Sequence, residues 1–158
     1  MVKSTHHRRV PKQPIPIGWK ETIDLPEWGI HELVAKSDTG AKSSAIDVRD
    51  IEELGEGRVR FVIYADRKNK QLKREVEADV VMETKVRSSN GQLQRRIKVE
   101  TLLQIGPVKK RVVFSLVNRH RMICRALLGR DALAGSFVVD SEKKYLHGPR
   151  RKPRIIEH

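Results

Sequence analysis

In the stretch KSDTGAKSSA, Lys36 to Ala45, a single carboxylate, Asp38, stands between Ser37 and Thr39 and is followed by Gly40 and Ala41. Two chemistries suit that grouping. Asp and Gly are common turn formers, so the triplet could simply reverse the chain. A carboxylate with Thr-Gly behind it could instead be half of an acid/base pair, one member ionised to take a proton and the other protonated to donate one. Asp-Thr-Gly alone does not decide, because a chain of this length holds the triplet by chance roughly 3 times in 100. A second segment changes the odds: in RALLGRDAL, Arg125 to Leu133, the pair Leu127-Leu128 runs into Gly129, which opens a short helical stretch.

Other chemical motifs fail on spacing. HELVA begins like a zinc-protease helix, but that chemistry needs a second imidazole one turn on, where the chain has Ala35. His6, His7, His31, His120, His147 and His158 are scattered and read as surface or structural histidines. GAKSS is no phosphate loop, since Ala41 precedes Lys42 and Lys36 stands where the first glycine belongs. Cys124 is the only cysteine, which excludes an internal disulfide and any multi-cysteine cluster. The expectation is therefore no metal and no cofactor. Asp131 reads as a helix start or a partner of Arg130, and Arg119 and Arg121 as solvated charges or clamps for a substrate carboxylate.

The elements that must position these residues are mostly strands. RVRFVIYAD alternates Val59, Phe61 and Ile63 on one face, and REVEADVVM, RIKVETLLQIG and VKKRVVFSLV are similarly rich in β-branched residues. In KVRSSNGQLQRR, Asn90-Gly91 signals a tight type I′ turn, so residues 84–97 should form a projecting hairpin. Helix is confined to one or two turns at Asp131-Ala132-Leu133 before Gly135. With 158 residues, 38% hydrophobic and only 4% aromatic, the chain supports one domain with an aliphatic core. The expected division is a basic flexible tail over 1–16, one domain over 17–147 and a second basic flexible tail over 148–158. The tails take up much of the net charge of +13: residues 1–16 hold four Lys/Arg and no acid, and 149–158 hold four Lys/Arg and one Glu, leaving +6 on the body. The amino-terminal stretch lacks the apolar run of a signal peptide, and no run approaches membrane-spanning length, so a cytoplasmic protein without membrane contact is expected.

Together, DTGA and LLGRDAL, with a hairpin between them, resemble the retropepsins, the single-domain aspartic peptidases typified by retroviral proteases. From IGWKE through VRSSNGQ, VNRHRM and LLGRDALAGSFVVD, about residues 17–147, the chain is similar to a bacterial group of retropepsin-like peptidases long labelled ATP-dependent zinc proteases. The resemblance implies an all-β, closed-barrel acid-protease fold with a flap hairpin and one short helix. It implies Asp38, Thr39 and Gly40 as catalytic residues, Thr39 bonding across a two-fold axis and Gly40 admitting backbone close to the carboxylates. It further implies that Ala41, Leu128, Gly129 and the flap tip Ser88, Ser89, Asn90 and Gly91 line the substrate, with Arg119 and Arg121 beside them. Three positions depart from retroviral relatives: Lys36 and Ser37 replace apolar residues before the Asp, and Lys42 replaces an acid after the Ala.

An aspartic peptidase needs two carboxylates sharing a proton. Here Asp24, Asp47, Asp50, Asp66, Asp79, Asp131 and Asp140 all lack the following Thr-Gly, so the second Asp38 must come from a second copy across an isologous interface. The expected protein is a homodimeric, metal-independent aspartic endopeptidase acting on peptide or protein substrates. Arg87, Arg95 and Arg96 around the flap tip, with Arg119 and Arg121, would favour acidic, glutamate-rich peptides. The alternative is a non-catalytic basic β domain that binds RNA or ribosomal components. The scarcity of aromatics argues against base stacking, though not against phosphate contacts.

Overall fold

The computed structural model describes residues 13–118, 124–147 and 151–156. Eleven strands make up most of it: β1 (Ile15–Leu25), β2 (Ile30–Ser37), β3 (Ser44–Asp47), β4 (Arg49–Gly55), β5 (Arg58–Tyr64), β6 (Lys73–Arg87), β7 (Leu93–Ile105), β8 (Val108–Val117), β9 (Ala126–Leu128), β10 (Phe137–Lys144) and β11 (Arg154–Ile155). The α-helix among the described residues is α1, Arg130–Leu133, and one 3₁₀ turn, Pro26–Trp28, links β1 to β2. None of these helices is long and apolar enough to cross a membrane.

Hydrogen bonding runs β10-β1-β2-β9-β3-β8-β7-β6-β5-β4, with β11 added to β2. The pair Asp24↔Gln104 joins β1 to β7, so the bonding closes into a ring through β1, β2, β9, β3, β8 and β7. The expected all-β architecture with one short helix is what the chain adopts. Inside the ring lie aliphatics that alternate along their strands: Ile23 and Leu25, Leu33 and Ala35, Leu103 and Ile105 are each at most 1% exposed. In β5 the alternation read from sequence holds, Val59, Phe61 and Ile63 being fully buried. Phe61 meets Trp28 edge to face at 5.5 Å between ring centroids. Burying each such side chain contributes about 1.5–3 kcal/mol.

The 15-residue β6 serves two partners. Its first half pairs with β5 from Lys73 to Asp79, and its second half pairs with β7 up to Arg87↔Leu93. A register shift between Val80 and Met82 marks the change. Such an irregularity bends a strand, and it lies where the hairpin leaves the body.

Two expectations require correction. The hairpin turn is not type I′: the Gly91 amide donates to Ser88 O and the Ser88 amide to Gln92 O, and only Gly91, at φ 84°, is left-handed. The turn is a three-residue loop with glycine at the bulge position, and Asn90 keeps a negative φ because its side chain is engaged with Ser88 Oγ and the Gln92 amide. At the carboxy end, part of the expected flexible tail is built in. Arg154 and Ile155 pair with His31 and Ile30, Ile156 N–H donates to Gly29 O at 2.7 Å, and Pro153 is buried. At the other end β1 starts at Ile15, two residues earlier than expected, while residues 1–12 lie outside the described residues.

Candidate active site

Asp38 follows directly on β2, whose last residue, Ser37, is buried and donates its hydroxyl to Gly18 O at 3.1 Å. The buried Ser37 and the exposed Lys36 alternate, so the lysine faces away from the core and the serine toward it. The Asp38 amide donates to Leu128 O at 2.8 Å, which ties the start of the loop to the end of β9. Asp38 Oδ1 accepts the Gly40 amide at 2.9 Å and Asp38 O accepts the Ala41 amide at 3.2 Å, a tight Asx-type turn. A Cβ on Gly40 would lie 3.2 Å from Asp38 Oδ1, so the glycine keeps the carboxylate uncrowded. Asp38 is half-buried, Thr39 and Gly40 are exposed, and Asp38 Oδ2 has no hydrogen-bond partner among the described residues.

The loop's far side is joined to the segment around Gly129 by three further bonds. Arg130 N–H donates to Ala41 O at 2.8 Å, Asp131 N–H to Lys42 O at 3.0 Å, and the Arg130 guanidinium to Thr39 O at 3.0 Å. Beneath them, Ser44 Oγ–H donates to Asp131 Oδ1 at 2.6 Å and accepts the Gly129 amide at 3.0 Å. Asp131 lies in the first turn of α1, as a helix start would, but its carboxylate is engaged by Ser44 rather than by Arg130. It fixes the hydroxyl that fixes the glycine. Ser44 and Asp131 lie 87 positions apart, and nothing local in the sequence announces the contact. Lys110 supports α1 from below, donating to Ala132 O and Ser136 Oγ, and burial pushes its ammonium below the usual lysine range against the pull of Asp131.

The structure therefore brings Asp38, Thr39, Gly40 and Ala41 together with Leu128 and Gly129. Among the described residues, the bonds of the hairpin tip Ser88, Ser89, Asn90 and Gly91 stay within their own turn and with Arg87, whose guanidinium donates to Gly91 O at 2.9 Å. Arg119 and Arg121 lie outside the described residues. Arg95 is fully committed: its guanidinium binds Glu83 at 2.6 and 3.0 Å and Glu53 at 2.9 Å twice. HELVA lies on β2 rather than on a helix, and its His31 faces Asp24 at 3.5 Å. Among the described residues no three of His, Cys, Asp and Glu converge as metal ligands.

Comparison with known proteins identifies the family and the fold. Residues 16–150 match the RimB-like family, described as the retropepsin-like aspartic endopeptidase RimB. The chain is 29% identical over 135 residues to a probable alpha-L-glutamate ligase of Shewanella halifaxensis, and 30% identical over 135 residues to one of Shewanella pealeana. The match covers 84% of this chain but only 30% of each of those relatives. A structural-genomics crystal structure of a Legionella pneumophila protein of unknown function superimposes with a TM-score of 0.72 at 25% identity, over 85% of this chain and 98% of that one.

Proposed function

The chain belongs to the retropepsin-like aspartic endopeptidase family, and from that premise we propose that it hydrolyses peptide bonds with a dyad of two Asp38 carboxylates, one from each protomer of a homodimer. The observation that carries this reading is the state of Asp38 in the single chain. Its loop is pinned through Leu128, Ala41 and Lys42, its Oδ1 is held by the Gly40 amide, and its Oδ2 has no partner among the described residues of this half-buried side chain. A carboxylate so fixed on one side and open on the other is half of a site. Two of them at about 3 Å share one proton, because both cannot ionise comfortably at that distance. The ionised member takes a proton from a water that attacks the scissile carbonyl carbon, and the protonated member donates to the carbonyl oxygen. Collapse of the tetrahedral intermediate breaks the C–N bond as a proton passes to the leaving nitrogen.

The favoured substrates are acidic peptides. Lys36 and Lys42, both exposed, flank the loop, and Arg130 lies across it. Curated relatives that contain this segment are named for joining glutamate, which makes glutamate-bearing polypeptides the first to try. Arg95 does not contribute to this preference, because its charge is already neutralised.

The deciding experiment is peptide-cleavage profiling of the wild type beside Asp38→Asn, with glutamate-rich and neutral peptides. Exchange for Asn keeps size and hydrogen bonding but removes the titrating group, so cleavage should fall by orders of magnitude with folding intact. Near-normal turnover in Asp38→Asn would overturn the dyad. Equal, salt-indifferent rates on both peptide classes would overturn the acidic preference alone. Activity should also survive chelators.

A further inference from the structure

Among the described residues, several cations without an ion pair gather away from the Asp38 loop. Two adjoining open clefts, of about 390 and 480 Å³, share Asp66, Arg67 and Arg125 in their walls. Into them project Lys20, Arg67, Lys68, Lys70, Arg151 and Lys152, none of which has an ion pair among the described residues. The floor is itself ionic: buried Asp47 bridges Arg49 at 2.6 Å and Arg125 at 3.1 Å. Burial holds the Arg125 guanidinium below its usual range, with Asp47 opposing and the charges of Arg49 and Arg67 adding to the depression. One aromatic, Tyr64, lies in the wall of the second cleft.

These positions are built rather than incidental. Arg67, Lys68 and Lys70 ride on the β5–β6 turn, closed by Ala65 N–H to Leu72 O and Leu72 N–H to Asn69 O and braced by Asp66 Oδ1 accepting the Lys68 amide. Arg151 and Lys152 are set by the strand pairing of β11 that follows them. The clefts also stand apart from the catalytic loop. Arg125 N–H donates to Val34 O at one end of β9, whereas Leu128 O receives the Asp38 amide at the other, three residues or about 10 Å away.

We propose that these joined clefts bind the sugar–phosphate backbone of a single-stranded nucleic acid, with Tyr64 as a stacking surface for one base. Clustered, unneutralised Lys and Arg side chains fit a regular polyanion, because each phosphate they meet releases condensed counterions. An acidic peptide would use the same charges but would have no use for an aromatic face beside them, whereas every base has a π surface. The proposal is independent of the peptidase reading, since none of these residues belongs to the catalytic loop.

The test is binding of a labelled twelve-nucleotide oligouridylate and of an oligoglutamate of equal charge to the full chain across a salt series. Replacing Arg67 and Lys70 together by Gln should weaken oligouridylate binding at least tenfold and reduce the slope of log K against log salt by about 1.4. Tyr64→Leu should cost at least fivefold with the slope unchanged, and Tyr64→Phe should restore binding. Thermal melting of each variant confirms that the fold survives, and peptide cleavage should be unaltered. Three results would overturn the proposal: no oligouridylate binding at low salt; binding indifferent to the Arg67 and Lys70 exchange, which would assign it to the chain termini; or oligoglutamate binding at least as tight with Tyr64→Leu without effect, which would assign the clefts to acidic peptides.

Discussion

Gly129 marks the closest approach between the two halves of the candidate site. A Cβ there would stand 2.4 Å from Ser43 O and 2.9 Å from Ala41 O, both backbone atoms that cannot swing aside. Gly129→Ala must therefore push the Asp38 loop away from β9, at a cost of about 1–3 kcal/mol by the usual scale of overpacking. A shift of that kind moves the carboxylate, so hydrolysis should fall by far more than the melting temperature suggests. Asp131 offers a finer probe. Asp131→Ala removes the acceptor of Ser44 Oγ–H, which should cost about 1–2 kcal/mol in denaturant unfolding and lower kcat with little change in KM, while Asp131→Asn, which keeps an acceptor oxygen, should recover most of both. Equal activity in the Ala and Asn variants would mean that the Ser44 contact does not position the loop. Asp38 and Gly129 were legible in the sequence because their signals are local triplets. The Ser44–Asp131 bond was not, because a hydroxyl and a carboxylate separated by most of the chain leave no pattern until the sheet closes.

At the scale of elements, the strands that could be read were those with a buried face: β5 and β7 alternate between core and surface, as does β6 around Val76 and Ala78, while β8 is buried over its last four residues. β4 could not be read because its residues from Asp50 to Gly55 are all exposed and carry no alternation. Backbone pairing with β5 holds β4 in the sheet, and Arg95 ties it to the hairpin by gripping Glu53 of β4 and Glu83 of β6. The Arg95 guanidinium holds both glutamates below the ordinary carboxylate range and is itself pushed up by them. A depressed carboxylate pKa adds stability that is present above the unfolded-state value and is lost as pH falls through the folded one. The wild type should therefore melt earlier as the solution is acidified below about pH 4.5. Arg95→Met should flatten that acid limb, and high salt should do the same to the wild type. At the tip, Gly91 sits at φ 84° with no heavy atom near its missing Cβ, so Gly91→Val adds backbone strain without a clash, on the order of 1–2 kcal/mol. If this hairpin closes over substrate, kcat/KM for peptides should drop by more than that strain implies while melting moves only a few degrees. Proportionate loss of both would make the hairpin purely structural.

For the whole molecule, the distribution of charge matters more than its sum of +13. Arg95 on the hairpin and Arg111 on β8 are cancelled by glutamates, while Arg67, Lys68, Lys70, Arg151 and Lys152 around the clefts have no ion pair among the described residues. The proposed binding of polyanions and the proposed peptide hydrolysis thus fall on different parts of the surface and can be separated by mutation. The proposed dyad has a further property that no single chain can display. With one Asp-Thr-Gly per chain, such a dyad needs two intact protomers, and activity per protomer should decline on dilution as dimers dissociate. Mixing gives a sharper signature. When wild-type and Asp38→Asn chains are co-refolded in equal amounts, random pairing leaves about a quarter of the dimers with two carboxylates and about half with one. A mixed pair of Asp and Asn cannot supply both an acid and a base, so activity should follow the square of the wild-type fraction, near a quarter of the unmixed value. The measurement is initial rate on a fixed peptide against mixing ratio, with dimer content followed by sedimentation. A linear dependence, with half the activity left at equal mixing, would mean that each chain works alone with one carboxylate, and the dyad across two protomers would have to be abandoned.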